Sequence, residues 1–437
     1  METSSQQYTT TGLTDGSYFR SHYTNIRILK RAIYGAVHLA FHHGSQQEVA
    51  IKIIHPQSVL LVRQERAQGG LPREDWVKEL EAMRILQGVG GHPSVVRLLE
   101  DFEENGCVFI VMEFCKGGEM FDTMEHHGAW NHAVAKQIFR QFMEGVLFIH
   151  SMDISHRDLS LENTLFHDGG PKICDFGGCI QYEGNSIDGG LIVRDRAGRD
   201  SYVHRVGKQF YMSPQILAMD HYDGLCTDIW SAGAFLFLLL TAHPPWEYAH
   251  PVADTSNAYR AYVEGGPEAF KKFVADWKFL HFFGMGDGGG SSECWNLLML
   301  LLHPNENERC TAIEALDHAW LRDEEGRSSG KGGSSESSGG SNGNTDGAKD
   351  AAGNTEVAAS TWTCTTWNDM TCNQQSRLRL LQKMLQRHGS EYPPLVRALH
   401  STVERSGWTF EQLLNVLHQM NGTSNEESND PQRCTVT

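Results

Sequence analysis

An α+β fold of two unequal lobes is the architecture this chain predicts, and three observations carry it. Short β-branched runs, VAIKII at 49–54 and GCVFIVME at 106–113, dominate the front of the chain and have the composition of strands. Helical spacing of apolar residues dominates afterwards, as in AVAKQIFRQFMEGVLFIH at 133–150. Apolar periodicity continues from Ile26 to about Arg322, so the strand-rich front and the helix-rich back form one block of two lobes.

Around that block the composition changes sharply. Residues 1–23 are rich in Ser, Thr and Gln and are expected to be disordered, ahead of a folded domain at 24–323. Residues 324–370 are dominated by Gly, Ser and Asn and predict a flexible linker. A small α-helical module is expected at 371–421. SRLRLLQKMLQRH at 376–388 repeats apolar residues at helical spacing, and Thr409 with Gln412 forms a capping box for a second helix. Residues 422–437 make a disordered tail.

Several function classes are disfavoured by composition. The 437 residues are 40 % apolar and 10 % aromatic, ample for a packed core, and carry a formal net charge of −17. Such acidity argues against nucleic acid or an anionic membrane as partner, since both need clustered Lys and Arg. The longest uncharged apolar run, Ile229 to Ala242, is shorter than the roughly 20 residues that span a bilayer and predicts a buried core helix. The N-terminus has neither a basic start nor an apolar segment, and the ten cysteines contain no CxxC pair. A cytoplasmic monomer is expected, and nothing in the sequence bars the nucleus.

Five short motifs then occur in order. A strand-turn-strand carries YGAV at 34–37 and a second strand carries VAIK with Lys52. The loop HRDLSLEN at 156–163 comes next, then DFG at 175–177 and DIWSAG at 228–233. Together they resemble the eukaryotic protein-kinase domain, over roughly residues 24–323. The resemblance implies a bilobal fold: a five-stranded antiparallel N-terminal sheet with helix αC, here WVKELEAMRIL at 76–86, and a larger helical C-lobe. FYMSP at 210–214 is similar to Ser/Thr enzymes. EFCKGGEMFD, LLTAHPPW and ALDHAWL look most like the calcium/calmodulin-dependent and SNF1-like kinases.

The same resemblance assigns roles, each with a physical reason. Phosphoryl transfer needs little covalent work from a protein, so the site positions ATP, neutralises its charge and orients an acceptor hydroxyl. Lys52 would contact the α- and β-phosphates. Asp175 and Asn163 would hold Mg²⁺, a hard ion that prefers oxygen ligands. Asp158 would accept the proton of a Ser or Thr hydroxyl on a protein substrate. Lys52 needs an acidic partner on helix αC, and Glu79 is the choice because it places Leu80, Ala82, Met83 and Leu86 inward, while Glu81 remains the alternative. Adenine is expected between Leu29, Val37 and Ala50 above and Leu165 below. Glu113 and Cys115 offer hinge backbone groups, Met112 guards the back, and Glu119 faces the ribose and the incoming peptide.

The chain also departs from the pattern. KRAIYG at 30–35 keeps only Gly35 of the three glycines in GxGxxG, with Lys30 and Ala32 in place of the first two, so weaker ATP affinity or a slower loop is expected, without abolition of binding. Gln215 stands where an Ala-Pro-Glu motif has its acid, with Arg309 as its expected partner. Ser201 and Tyr202 lie among arginines in a long insertion, a candidate phosphorylation site. Ser160 stands where the family keeps a catalytic-loop lysine, and Lys208 stands where the threonine that meets that lysine is expected. The two anomalies suggest that amine and hydroxyl have exchanged backbones. The expected activity is an ATP- and Mg²⁺-dependent Ser/Thr kinase, with a nucleotide-binding pseudokinase scaffold as the alternative. The basic amphipathic segment 376–388, with Arg377, Arg379, Lys383 and Arg387, is a candidate calmodulin or autoinhibitory contact.

Overall fold

The computed structural model describes residues 17–32, 35–55, 76–181, 207–218, 222–250, 257–285 and 292–322. The loop tip at 33–34, Ser201 and Tyr202, the linker at 324–370 and the helical module at 371–421 lie outside the described residues.

A short helix, α1 (Tyr18–His22), opens the fold, with the Ser17 side chain accepting from the Arg20 N–H. Five strands belong to the same lobe, β1 (Tyr23–Ala32), β2 (Gly35–His42), β3 (Gln47–Ile54), β4 (Leu98–Glu104) and β5 (Cys107–Glu113). They form one sheet in the order β1-β2-β3-β5-β4, every neighbouring pair antiparallel. On one face of the sheet Phe19 and Tyr23 pack with Ala40, Val49, Ile51, Ile53, Phe109 and Val111 in a small separate core. For residues 17–23 this corrects the expectation of disorder: Phe19 on the helix and Tyr23 at the start of β1 bury together against the sheet, and residues 1–16 lie outside the described residues. The polar composition around them masked that signal.

Inserted between β3 and β4 is α2 (Trp76–Gly88), which buries Glu79, Leu80, Ala82, Met83 and Leu86. The apolar members join the main core, which runs on into the C-lobe and includes Phe176. The C-lobe starts with α3 (Met120–His127) and α4 (His132–Ser151), the latter capped by the Asn131 side chain accepting from the Val134 N–H. Four short strands come after it: β6 (Ile154–Ser155), β7 (Thr164–His167), β8 (Gly170–Ile173) and β9 (Ile180–Gln181). They pair as β6 with β9 and β7 with β8. Next come α5 (Pro214–Ala218) and α6 (Gly224–Thr241). Helix α6 is long and apolar enough to cross a membrane, yet 89 % of it is buried inside the lobe. A helix apolar all round needs cover on every side, and here α4 and its neighbours supply it. Phe142 of α4 stacks on Phe235 with ring centroids 4.1 Å apart. Three further helices, α7 (Asn257–Asp276), α8 (Glu293–Leu301) and α9 (Ala312–Asp317), complete the lobe.

Candidate active site

The loop HRDLSLEN is the link between β6 and β7, and its geometry is set by α6. Asp228, fully buried near the start of that helix, accepts from the backbone N–H of His156 and of Arg157, each at 2.7 Å, and from His150 Nε2 at 3.0 Å. A buried carboxylate is tolerated only when saturated with donors, so this loop and helix are bound to one arrangement. Arg157 adopts a left-handed backbone at φ 62°, and its guanidinium donates to the Gly178 carbonyl at 2.7 Å.

Asp158 is the next residue. Asn163 donates its side-chain NH₂ to the Asp158 carbonyl at 2.9 Å and to Oδ2 at 2.7 Å. The other carboxylate oxygen, Oδ1, is buried and has no hydrogen-bond partner among the described residues. Burial pushes the Asp158 carboxyl up, and Lys208 is the largest influence pulling it back. Lys208 Nζ lies 3.6 Å from that free oxygen and donates to Ser160 Oγ at 2.9 Å. Ser160 Oγ also accepts from the Asn163 N–H at 3.2 Å. The approach of the Lys208 segment depends on Gly207, at φ +99°, where an added Cβ would stand 3.0 Å from the Arg157 carbonyl oxygen.

On the opposite wall, Lys52 of β3 lies 2.6 Å from Glu79 Oε2 and 3.9 Å from Asp175 Oδ1. The Glu79 side chain is only 4 % exposed, whereas Glu81 is half-buried, so of the two candidates it is Glu79 that meets Lys52. Asp175 has a left-handed backbone at φ 66°, and Phe176 beside it is fully buried against α2. Burial raises the Asp175 carboxyl, but Lys52, His156, the Gly177 N–H and Lys30 outweigh it and hold it below the ordinary aspartate range.

The residues that the motifs assign to adenine lie on or beside β1, β2, β3, β5 and β7. Val37 sits opposite Lys52, and Ala50 sits opposite both Leu39 and Met112. Leu165 forms a bridge with Glu119. Cys115 is buried, whereas Leu29, Val37, Met112 and Leu165 are half-buried. Glu113 spends its N–H on the Arg97 carbonyl at 3.1 Å. Gly35 has a different reason to be glycine than expected: a Cβ there would fall 1.8 Å from the Ile53 carbonyl oxygen, so strand packing, not only approach to phosphate, requires it.

The donor set fits a nucleotide with Mg²⁺. Asp175 is held ionised, and Asn163 has committed its NH₂, leaving an amide oxygen. Two oxygen ligands with the rest of the shell from phosphate and water is how Mg²⁺ is usually bound. Among the described residues no cluster of three His, Cys, Asp or Glu side chains forms a closed metal cage.

A model of the protein kinase domain matches residues 23–321. The chain belongs to this family. Among curated relatives, CBL-interacting protein kinase 8 of Oryza sativa subsp. japonica is 30 % identical over 298 residues, covering 68 % of this chain and 56 % of the relative. Serine/threonine-protein kinase SRK2G of Arabidopsis thaliana is 30 % identical over 302 residues, 68 % of this chain and 72 % of the relative. Calcium-dependent protein kinase 14 of Arabidopsis thaliana is 32 % identical over 251 residues, 57 % of this chain and 41 % of the relative. The match to the rice protein thus spans little more than half of that protein's length.

Three contacts in this kinase domain escaped sequence reasoning. Asp228 was legible as a motif letter but not as the acceptor that holds the catalytic loop. Glu113 pairs through its side chain with Lys172 at 2.9 Å, both largely buried. Lys30 pairs with Glu119 at 2.5 Å. Neither pair has a local sequence signal, because 59 and 89 residues separate the partners.

Proposed function

We propose that this chain is an ATP- and Mg²⁺-dependent protein serine/threonine kinase in which Lys208 supplies the cation that the catalytic loop lacks at Ser160. The observation that carries the reading is the position of Lys208 Nζ, 2.9 Å from Ser160 Oγ and 3.6 Å from Asp158 Oδ1. Asp158 Oδ1 is the free acceptor for the substrate hydroxyl proton. As that proton leaves, the hydroxyl oxygen bonds to the γ-phosphorus and the bond to the β-phosphate oxygen breaks, releasing ADP. Lys52, fixed by Glu79, draws the α- and β-phosphates into place. Asp175 and Asn163 would hold Mg²⁺, which neutralises phosphate charge when bound. Lys208 stabilises charge developing on the transferred group from a site already in position, which costs no reorganisation during reaction.

The reading is favoured over a pseudokinase scaffold by the connected network of Lys52, Glu79, Asp158, Asn163 and Asp175, and by relatives named as Ser/Thr kinases. Transfer of labelled γ-phosphate to generic acidic and basic proteins tests it, beside an Asp158→Asn control. Lys208→Thr is expected to lower kcat/KM by about 10²- to 10³-fold, the scale for removing one preorganised charge-stabilising donor. Lys208→Thr combined with Ser160→Lys recovers part of that loss, since groups acting as a unit are non-additive. A Lys208→Thr variant within a small factor of the parent would remove the exchanged lysine from the mechanism.

Regulation through 376–388 belongs to the same proposal. Its support is the alternation of basic and apolar residues at helical spacing, together with relatives whose names are calcium-dependent or CBL-interacting kinases.

A further inference from the structure

Lys30 occupies the first glycine position of the phosphate loop, and its ammonium reaches across the cleft to the opposite lobe. It lies on β1, in register with Val37 on the upper wall, while Glu119 bridges to Leu165 on the lower wall. The 2.5 Å ion pair therefore joins upper wall to lower wall at the mouth of the cleft, with Lys30 59 % and Glu119 23 % exposed. Burial works against the ammonium, yet Glu119, Cys174 and Asp175 outweigh it and raise the Lys30 pKa, so the charge also lies in the field of the metal-binding end. Glu119 begins α3 without using its side chain as a cap, so Lys30 and not the helix is what occupies its carboxylate.

We propose that the Lys30–Glu119 pair is a clasp that takes up the carboxylate otherwise available to ribose hydroxyls, so that this cleft selects a nucleotide by base and phosphate with little regard to the sugar. The ammonium pairs with Glu119 Oε1, so a ribose hydroxyl that approaches this carboxylate competes with a cation already in place and meets an acceptor whose charge is partly offset. The inference rests on reading the cleft as a nucleotide site, but not on phosphoryl transfer. An exposed pair of this kind is weak, so removing it leaves the fold intact and frees the carboxylate.

Calorimetric binding of ATP and 2′,3′-dideoxyATP to the full chain tests this. The parent is expected to bind the two within about threefold of one another, while Lys30→Met raises the preference for ATP to about tenfold or more, as a hydrogen bond to a charged acceptor requires. Adding Glu119→Gln to Lys30→Met returns the ratio towards the parent value. Thermal unfolding of each variant without nucleotide checks that the fold is unchanged. A parent that already prefers ATP tenfold overturns the clasp, as does an unchanged ratio in Lys30→Met. Absence of binding by either nucleotide overturns both the clasp and the kinase reading. Binding with the expected ratios but no phosphoryl transfer to any protein overturns the kinase reading alone.

Discussion

A buried carboxylate with one oxygen held and the other free is a base whose strength its neighbours set. Asp158 is such a group: Asn163 holds Oδ2, and Oδ1, which has no hydrogen-bond partner among the described residues, lies 3.6 Å from Lys208 Nζ. Burial raises its pKa and Lys208 is the first influence opposing that rise. A base works only when deprotonated, so kcat/KM should fall as pH drops, with the acid limb above the ordinary aspartate value. Lys208→Thr removes the main counterweight, so the limb should move to higher pH as well as the plateau falling. A pH profile of the two proteins checks this; an unmoved limb would mean that Lys208 does not act on Asp158. Much at this scale was legible beforehand. Lys208 and Ser160 stood out because each broke a motif whose spacing fixed its place. Glu79 was preferred to Glu81 because it sets Leu80, Ala82, Met83 and Leu86 inward, and it is Glu79 that lies 2.6 Å from Lys52.

At the scale of elements, the joint between α5 and the segment leading into α9 shows how a missing charge is accommodated. Arg309 is 6 % exposed, donates to Gln215 Oε1 at 2.6 Å, to the His303 carbonyl at 2.7 Å and to the Cys226 carbonyl at 3.1 Å, and lies 5.0 Å from the Trp230 ring centroid. Burial pulls this guanidinium down to about 10, against the opposing influence of groups that include Glu306. Gln215 in turn donates to the Pro304 carbonyl at 2.7 Å. Gln215→Glu exchanges a neutral acceptor for a charged one, roughly doubling that bond, and loses one neutral bond of about 1 kcal/mol to Pro304. With the buried cation neutralised as well, the gain should win by on the order of 1 kcal/mol, a rise in Tm of about 2–4 °C. A melting temperature lowered by the substitution would show that the Pro304 bond matters more. The Gln215–Arg309 contact was foreseeable because the Ala-Pro-Glu frame names both ends. The α1 cap on the sheet was not, since it rests on two aromatics in a polar stretch.

Across the whole molecule, the described lobe closes at its last residues. Trp320 and Leu321 are buried, the Arg322 carbonyl accepts from Lys136 Nζ at 3.2 Å, and Arg322 Nε donates to the Asp317 carbonyl at 2.7 Å. A cut after Arg322 therefore keeps every described residue of the core and the cleft. Among the residues it removes is the segment 376–388, whose Arg377, Arg379, Lys383 and Arg387 are basic on a chain of net charge −17, with Leu378, Leu381, Met384 and Leu385 as an apolar stripe. Such a segment is electrostatically drawn to an acidic partner, and the acidic partners open to it are the kinase domain itself and a calcium-loaded sensor. If it rests on the domain, truncation after Arg322 should raise kcat/KM by about fivefold or more, the lower range of coupling between sites. A peptide of 376–388 added back should then inhibit the truncated enzyme, and calmodulin with calcium should relieve that inhibition. Unchanged activity after truncation, together with no calcium-dependent binding of calmodulin to the full chain, would leave the segment without a regulatory role.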